Sequence, residues 1–256
     1  MRILIAALLL APAAALAASS FDGTWKARLG SMKVTGKPDV FVLSDGMFSC
    51  TSCDPAYKVK ADGTDQKVTG HSYYDSVAVK VVDAHSLQLQ YKRAGKLTGE
   101  GAMTVSADGS TLNGKFTDYN GAKPAVGSYT ETRVAAGAAG AHAVSGSWQQ
   151  SSMSEGNDAL TTVTYAMTDQ QFSSNSNGQS YEAKFDGKEY PVKGDPGHTQ
   201  VTLKRIDANT VEETDHRNGK VTDVIRLATA KDGKTLDLTD KDLAHGQTVT
   251  MTLDKQ

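Results

Sequence analysis

Cys50 and Cys53 are the only cysteines of the chain and stand in Cys-Thr-Ser-Cys. Two thiols so close together can form a local disulfide, exchange electrons, or hold a soft metal. The disulfide is the favoured reading, and so small a ring adds little stability. A redox thiol needs a helix N-terminus or similar to lower its pKa, and no helix is predicted there. A metal would draw on Cys50, Cys53 and His71, with Asp54 or Asp75 as a fourth ligand. Zinc takes four such donors, and thiolate with imidazole would also suit copper. These are weak metal candidates, and neither metal nor cofactor is expected.

The other residues able to do chemistry are scattered. His85, His142, His198 and His245 all fall in turns or small-residue stretches, where a solvated loop histidine is the expected outcome. The sequence carries no Gly-x-Ser-x-Gly elbow, no His-Glu-x-x-His, no phosphate-binding loop and no dinucleotide fingerprint. Nothing in it argues for an enzyme. A net charge of −2 lacks the basic footprint of a nucleic-acid partner, and none is expected.

The chain repeats itself. Phe48/Phe172, Tyr57/Tyr181, Asp62/Asp186, Gly70/Gly194, Asp83/Asp207, Gly95/Gly219, Asp108/Asp232 and Leu112/Leu236 all differ by 124. A register held without a slip over that length means one structural unit was duplicated. Cys50 and Cys53 correspond to Ser174 and Asn177, and His71 to Asp195, so the fold exists without them. Each unit opens on a Gly-x-Trp, Gly23-Thr-Trp25 and Gly146-Ser-Trp148. The expected division is a signal peptide at 1–17, a first β domain at 18–134, an Ala/Gly linker at 135–143 and a second β domain at 144–256. The leader reading rests on Arg2, the apolar run Ile3–Leu10 and Ala15-Leu16-Ala17. That run is too short to span a bilayer, so the mature chain is expected to be periplasmic or secreted and not membrane-spanning.

Within each unit the apolar period is two: Val77, Val79 and Val81; Leu87, Leu89 and Tyr91; Val201 and Leu203; Val249, Met251 and Leu253. Such alternation gives strands with one face in a core and the other in water. Asp62-Gly63, Asp108-Gly109, Asp186-Gly187, Asn218-Gly219 and Asp232-Gly233 supply tight turns between them. The predicted fold class is all-β, two tandem antiparallel up-and-down barrels, because closure removes exposed edges.

The Gly-x-Trp elements ahead of a pure meander resemble the lipocalin-like, or calycin, group. The repeated body also resembles exported bacterial proteins of uncharacterised role. The lipocalin resemblance implies a barrel that can hold a small apolar or amphipathic molecule, here in the first unit. The candidate ligand contacts are Trp25, Leu87, Leu89 and Tyr91. The corresponding positions of the second unit include Glu213 and Asp215. Inward carboxylates would need partners or water, and the favoured reading is a bulge that turns them outward. The function expected is non-catalytic binding. The alternatives are a protein-interaction or inhibitor-type module with filled barrels, and a metal or redox protein acting through Cys50 and Cys53.

Overall fold

A computed structural model describes residues 19–256; the expected signal peptide, 1–17, lies outside the described residues. The chain is all-β, as predicted, with two nearly closed antiparallel barrel sheets. It opens with β1 (Gly23–Ala27) and β2 (Lys33–Gly36). There follow β3 (Asp39–Ser44), β4 (Met47–Cys50), β5 (Tyr57–Lys60), β6 (Gln66–Lys67), β7 (Ser76–Val81), β8 (Ser86–Arg93), β9 (Lys96–Val105), β10 (Thr111–Asp118), β11 (Ala125–Ala136) and β12 (Gly146–Gly156). A one-turn helix, α1 (Asp158–Thr161), leads to β13 (Thr162–Met167), β14 (Gln171–Ser176), β15 (Gln179–Lys184), β16 (Tyr190–Pro191) and β17 (Gln200–Arg205). The chain finishes on β18 (Thr210–Arg217), β19 (Lys220–Thr229), β20 (Thr235–Asp242) and β21 (Gln247–Lys255).

The turns follow from the side chains the sequence places in them. Asp62, Asp83 and Asp108 each accept a hydrogen bond from the backbone N–H two residues on, and Asp186, Asp207 and Asp232 do the same in the second half. This short-range bond holds the reversal that lets adjacent strands pair. At Asn218-Gly219 both residues have positive φ, 52° and 74°, as a two-residue hairpin requires.

The order of strands departs from the expected division. The first sheet runs β5-β4-β3-β12-β11-β10-β9-β8-β7-β6, and the second runs β15-β14-β13-β1-β21-β20-β19-β18-β17-β16. Residues 39–156 therefore make the first barrel, while the second takes its closing strand, β1, from the far end of the chain. The stretch 135–143, read as a linker, is instead part of a hairpin, since Ala136 pairs with Gly146 inside one sheet. The physical reason lies in the Gly-x-Trp strand. The second copy of it, β12, closes the sheet of the strands before it, and the first copy, β1, takes the equivalent place in the second barrel.

The two tryptophans show that these places are equivalent. Each is fully buried. Trp148 donates its indole N–H to Val144 O at 2.9 Å, and Trp25 donates to Phe21 O at 2.8 Å. A cation covers each ring: Arg133 at 4.0 Å over Trp148 and Lys255 at 5.1 Å over Trp25. Arg133 also donates to the carbonyls of Gly109, Ala143 and Ser145, fixing the 137–145 loop across the end of its barrel. The crossing from the first barrel to the second is made by α1, capped by Asn157, whose side chain accepts the Leu160 N–H.

Candidate functional site

The first barrel is packed solid at its tryptophan end. Phe48, Val77, Val79, Leu87, Leu112 and Trp148 belong to one buried cluster. Leu87 and Leu89 are only 1% and 3% exposed, so these two candidate contacts are part of the core. Trp25, the third, lies in the second barrel and packs among Phe21, Phe172 and Tyr165. Its expected place in the first barrel is corrected by the strand order described above.

Toward the other end the filling changes from aliphatic to aromatic. Ring contacts lead from Phe48 to Tyr57 at 6.4 Å, to His71 at 5.6 Å, to Tyr74 at 4.4 Å and to Tyr91 at 4.9 Å. Burial pushes the Tyr57, Tyr74 and Tyr91 hydroxyls up, so they stay neutral donors. The row ends at a cleft of about 300 Å³ lined by Tyr73, Tyr74, Tyr91 and Phe116, with Glu100, Asp118 and Asn120 among its polar residues. Strand pairing explains the opening. Tyr91 faces Gly99 across β8 and β9, and Gly99 faces Asp118 across β9 and β10. Gly99 has no side chain to fill the space, and a Cβ there would already lie 3.5 Å from the Tyr91 ring.

Of the four residues read from the sequence as ligand contacts, Tyr91 alone lines this cleft. Tyr73 and Tyr74 escaped that reading because they lie between strands, where alternation says nothing. Phe116 escaped it because Gly99, Gly101 and Gly114 interrupt the apolar pattern around it. Gly114 has a packing cause, since a Cβ there would fall 2.0 Å from the Tyr129 ring.

The cysteines are disulfide-bonded to each other. His71 is packed between Tyr57 and Tyr74, and Cys50 and Cys53 are committed to their own bond. Among the described residues no three His, Cys, Asp or Glu side chains converge in a way that could hold a metal ion.

The matching end of the second barrel is acidic. Tyr91, Gly99, Phe116 and Asp118 are replaced by Asp215, Asp223, Asp240 and Asp242, each 124 residues on. Glu213 and Asp215 point inward, contrary to the favoured sequence reading. The bulge of β18 lies between Asp215 and His216, one residue too late to turn them out. Glu213 is 8% exposed and accepts a hydrogen bond from the Tyr181 hydroxyl at 2.5 Å. Burial raises the pKa of Glu213 and of Asp215, and for Asp215 the neighbouring Glu213 charge adds to it. Asp240 is pushed up to about 7, first by burial and then by Asp223 and Asp242. One oxygen each of Asp215 and Asp240 is buried without a hydrogen-bond partner. The first barrel has a smaller pair of this kind: burial and then Asp39 raise Glu131 to about 8, and burial raises Asp39 as well.

No model of a known protein family matches the chain, and no curated protein resembles it significantly. Function is therefore read from these two barrel ends.

Proposed function

We propose that the protein is an exported, non-catalytic binding protein of lipocalin-like type that takes a small amphipathic ligand at the open end of its first barrel. The observation that carries this reading is the cleft of about 300 Å³ lined by Tyr73, Tyr74, Tyr91 and Phe116. Aromatic walls with a few polar groups at the rim are the usual composition of a small-molecule site, and this volume stands at the lower edge of the usual range. The ligand therefore lies at the mouth, below the packed core, and is of modest size. The Cys50–Cys53 disulfide supports an oxidising compartment and with it export.

The test is a titration of the purified protein with the neutral fluorescent probe N-phenyl-1-naphthylamine. Saturable binding at one site is expected, weakened at least about tenfold by Tyr91→Ala, on the scale of one lost aromatic contact. Probe binding that is absent, or that ignores Tyr91→Ala, would contradict the reading.

A further inference from the structure

The first-barrel mouth contains more than aromatic surface, and the second barrel indicates what belongs in it. Resting on the binding reading above, we infer that the ligand carries an organic cation, a guanidinium or ammonium group, on its apolar body. The charged residues lining the cleft are Glu100 and Asp118, both acidic; Asp118 shares the inward face with Tyr91 and Phe116, whereas Glu100 follows Gly99 and alternates to the other face. Glu100 accepts the Tyr119 hydroxyl at 2.7 Å, and Asp118 accepts the Asn120 N–H at 2.6 Å. Neither has a basic partner among the ion pairs of the described residues. The rings of Tyr73, Tyr74, Tyr91 and Phe116 complete the walls, and an aromatic face attracts a cation through its quadrupole.

The duplicate barrel supplies its own cation at the matching place. Arg217 sets its guanidinium 2.8 Å from Asp223 and 5.6 Å from the ring centre of Tyr73. The residue 124 positions earlier is Arg93. It has been drawn away: Arg93 donates to the carbonyl of Pro196 at 2.8 Å and to that of Ser72. Both carbonyls belong to loops at the junction of the two barrels. The first mouth has aromatic faces and an acid, Asp118, while its own arginine is engaged elsewhere and, of these groups, the guanidinium of Arg217 reaches only the ring of Tyr73. An arginine-like or ammonium group from outside satisfies a carboxylate and a ring face together.

The experiment compares benzylguanidinium with benzylurea, a neutral molecule of nearly the same shape, by calorimetric titration of the intact protein. Benzylguanidinium is expected to bind at least about tenfold more tightly, the scale of a partly desolvated cation–π contact with a nearby carboxylate. Asp118 is exposed, so Asp118→Asn leaves the fold intact, as far-UV circular dichroism will verify, and it should reduce that ratio severalfold. Equal binding of the two compounds, binding of neither, or a ratio unmoved by Asp118→Asn would overturn the inference. Binding of the neutral naphthyl probe is measured in parallel. If the probe binds while the cation has no advantage, the cleft remains a binding site and only the cationic ligand is excluded; if the probe also fails, the binding reading itself falls.

Discussion

The two barrel mouths occupy the same four inward positions and fill them with opposite chemistry. In the first, Tyr91, Gly99, Phe116 and Asp118 make an aromatic cleft; in the second, Asp215, Asp223, Asp240 and Asp242 make an acidic one. The strand pairings are the same, Tyr91 with Gly99 and Asp215 with Asp223, then Gly99 with Asp118 and Asp223 with Asp242. The two sheets therefore share a scaffold while their open ends differ. The difference teaches where adaptation was free. The buried tryptophan ends stayed alike because close packing tolerates little change. The mouths, where water can reach, could exchange rings for carboxylates at a cost in stability.

The largest expected effect tests which barrel each tryptophan serves. Trp25→Ala removes a fully buried ring from the strand that closes the second barrel, and should cost about 3–5 kcal/mol. The chain has two tryptophans, so Trp148 fluorescence then reports the first barrel alone. Its denaturation midpoint should stay within experimental reach of the wild type while the second barrel unfolds early. Loss of the Trp148 transition in parallel would mean that β1 supports the first barrel, against the strand order found here.

The second expected effect comes from the acids. Glu213, Asp215 and Asp240 have folded pKa values raised above the ordinary carboxylate range near 4, Asp240 to about 7. Between about pH 4 and 8 the folded second barrel holds more protons than the unfolded chain. Its stability must then be greatest at the acid side of that window and fall as pH rises through it. Glu131, at about 8, and Asp39, also raised by burial, give the first barrel the same sign. Asp240→Asn should flatten the second-barrel slope and raise its stability at pH 8 by about 1–3 kcal/mol. Denaturant midpoints between pH 5 and 8 measure it, and a second barrel that gains stability with rising pH would refute the inward placement of these acids.

The smallest expected effect concerns the disulfide. Cys50→Ser with Cys53→Ser gives the first unit hydroxyls in place of the link, and the second unit holds Ser174 and Asn177 at those places. So short a closed loop should contribute less than about 3 kcal/mol. Equilibrium unfolding checks this, and a double variant that no longer folds would show the link to be essential to the first barrel.

Much of this architecture is legible in the sequence, and the part that is not has identifiable causes. Period-two runs such as Leu87, Leu89 and Tyr91 mark strands, and Asp-Gly pairs mark turns, because both signals are local. The ownership of the Gly-x-Trp strand is not local: the element precedes each repeat in the chain and pairs with the preceding barrel or, for β1, with the last one. The helix α1 is four residues long, too short to display a helical period. At the site, Tyr91 is visible from alternation, whereas Tyr73 and Tyr74 lie between strands and Phe116 lies among glycines. Glu213 and Asp215 stand on the right alternation to point inward. The rule against burying carboxylates argues otherwise, and it is overcome by raised pKa values and the Tyr181 hydroxyl.

The central claim is that the first-barrel mouth, and not the second, receives the ligand. Filling each mouth in turn tests it most directly. Gly99 is the position without a side chain, and its φ lies outside the left-handed region, so Gly99→Leu occupies the cleft without backbone strain. Asp223→Leu makes the corresponding change in the second barrel. N-phenyl-1-naphthylamine titrations of both variants should show affinity lost at least about tenfold in Gly99→Leu and unchanged in Asp223→Leu. The opposite pattern, or unchanged affinity in both, would contradict the account.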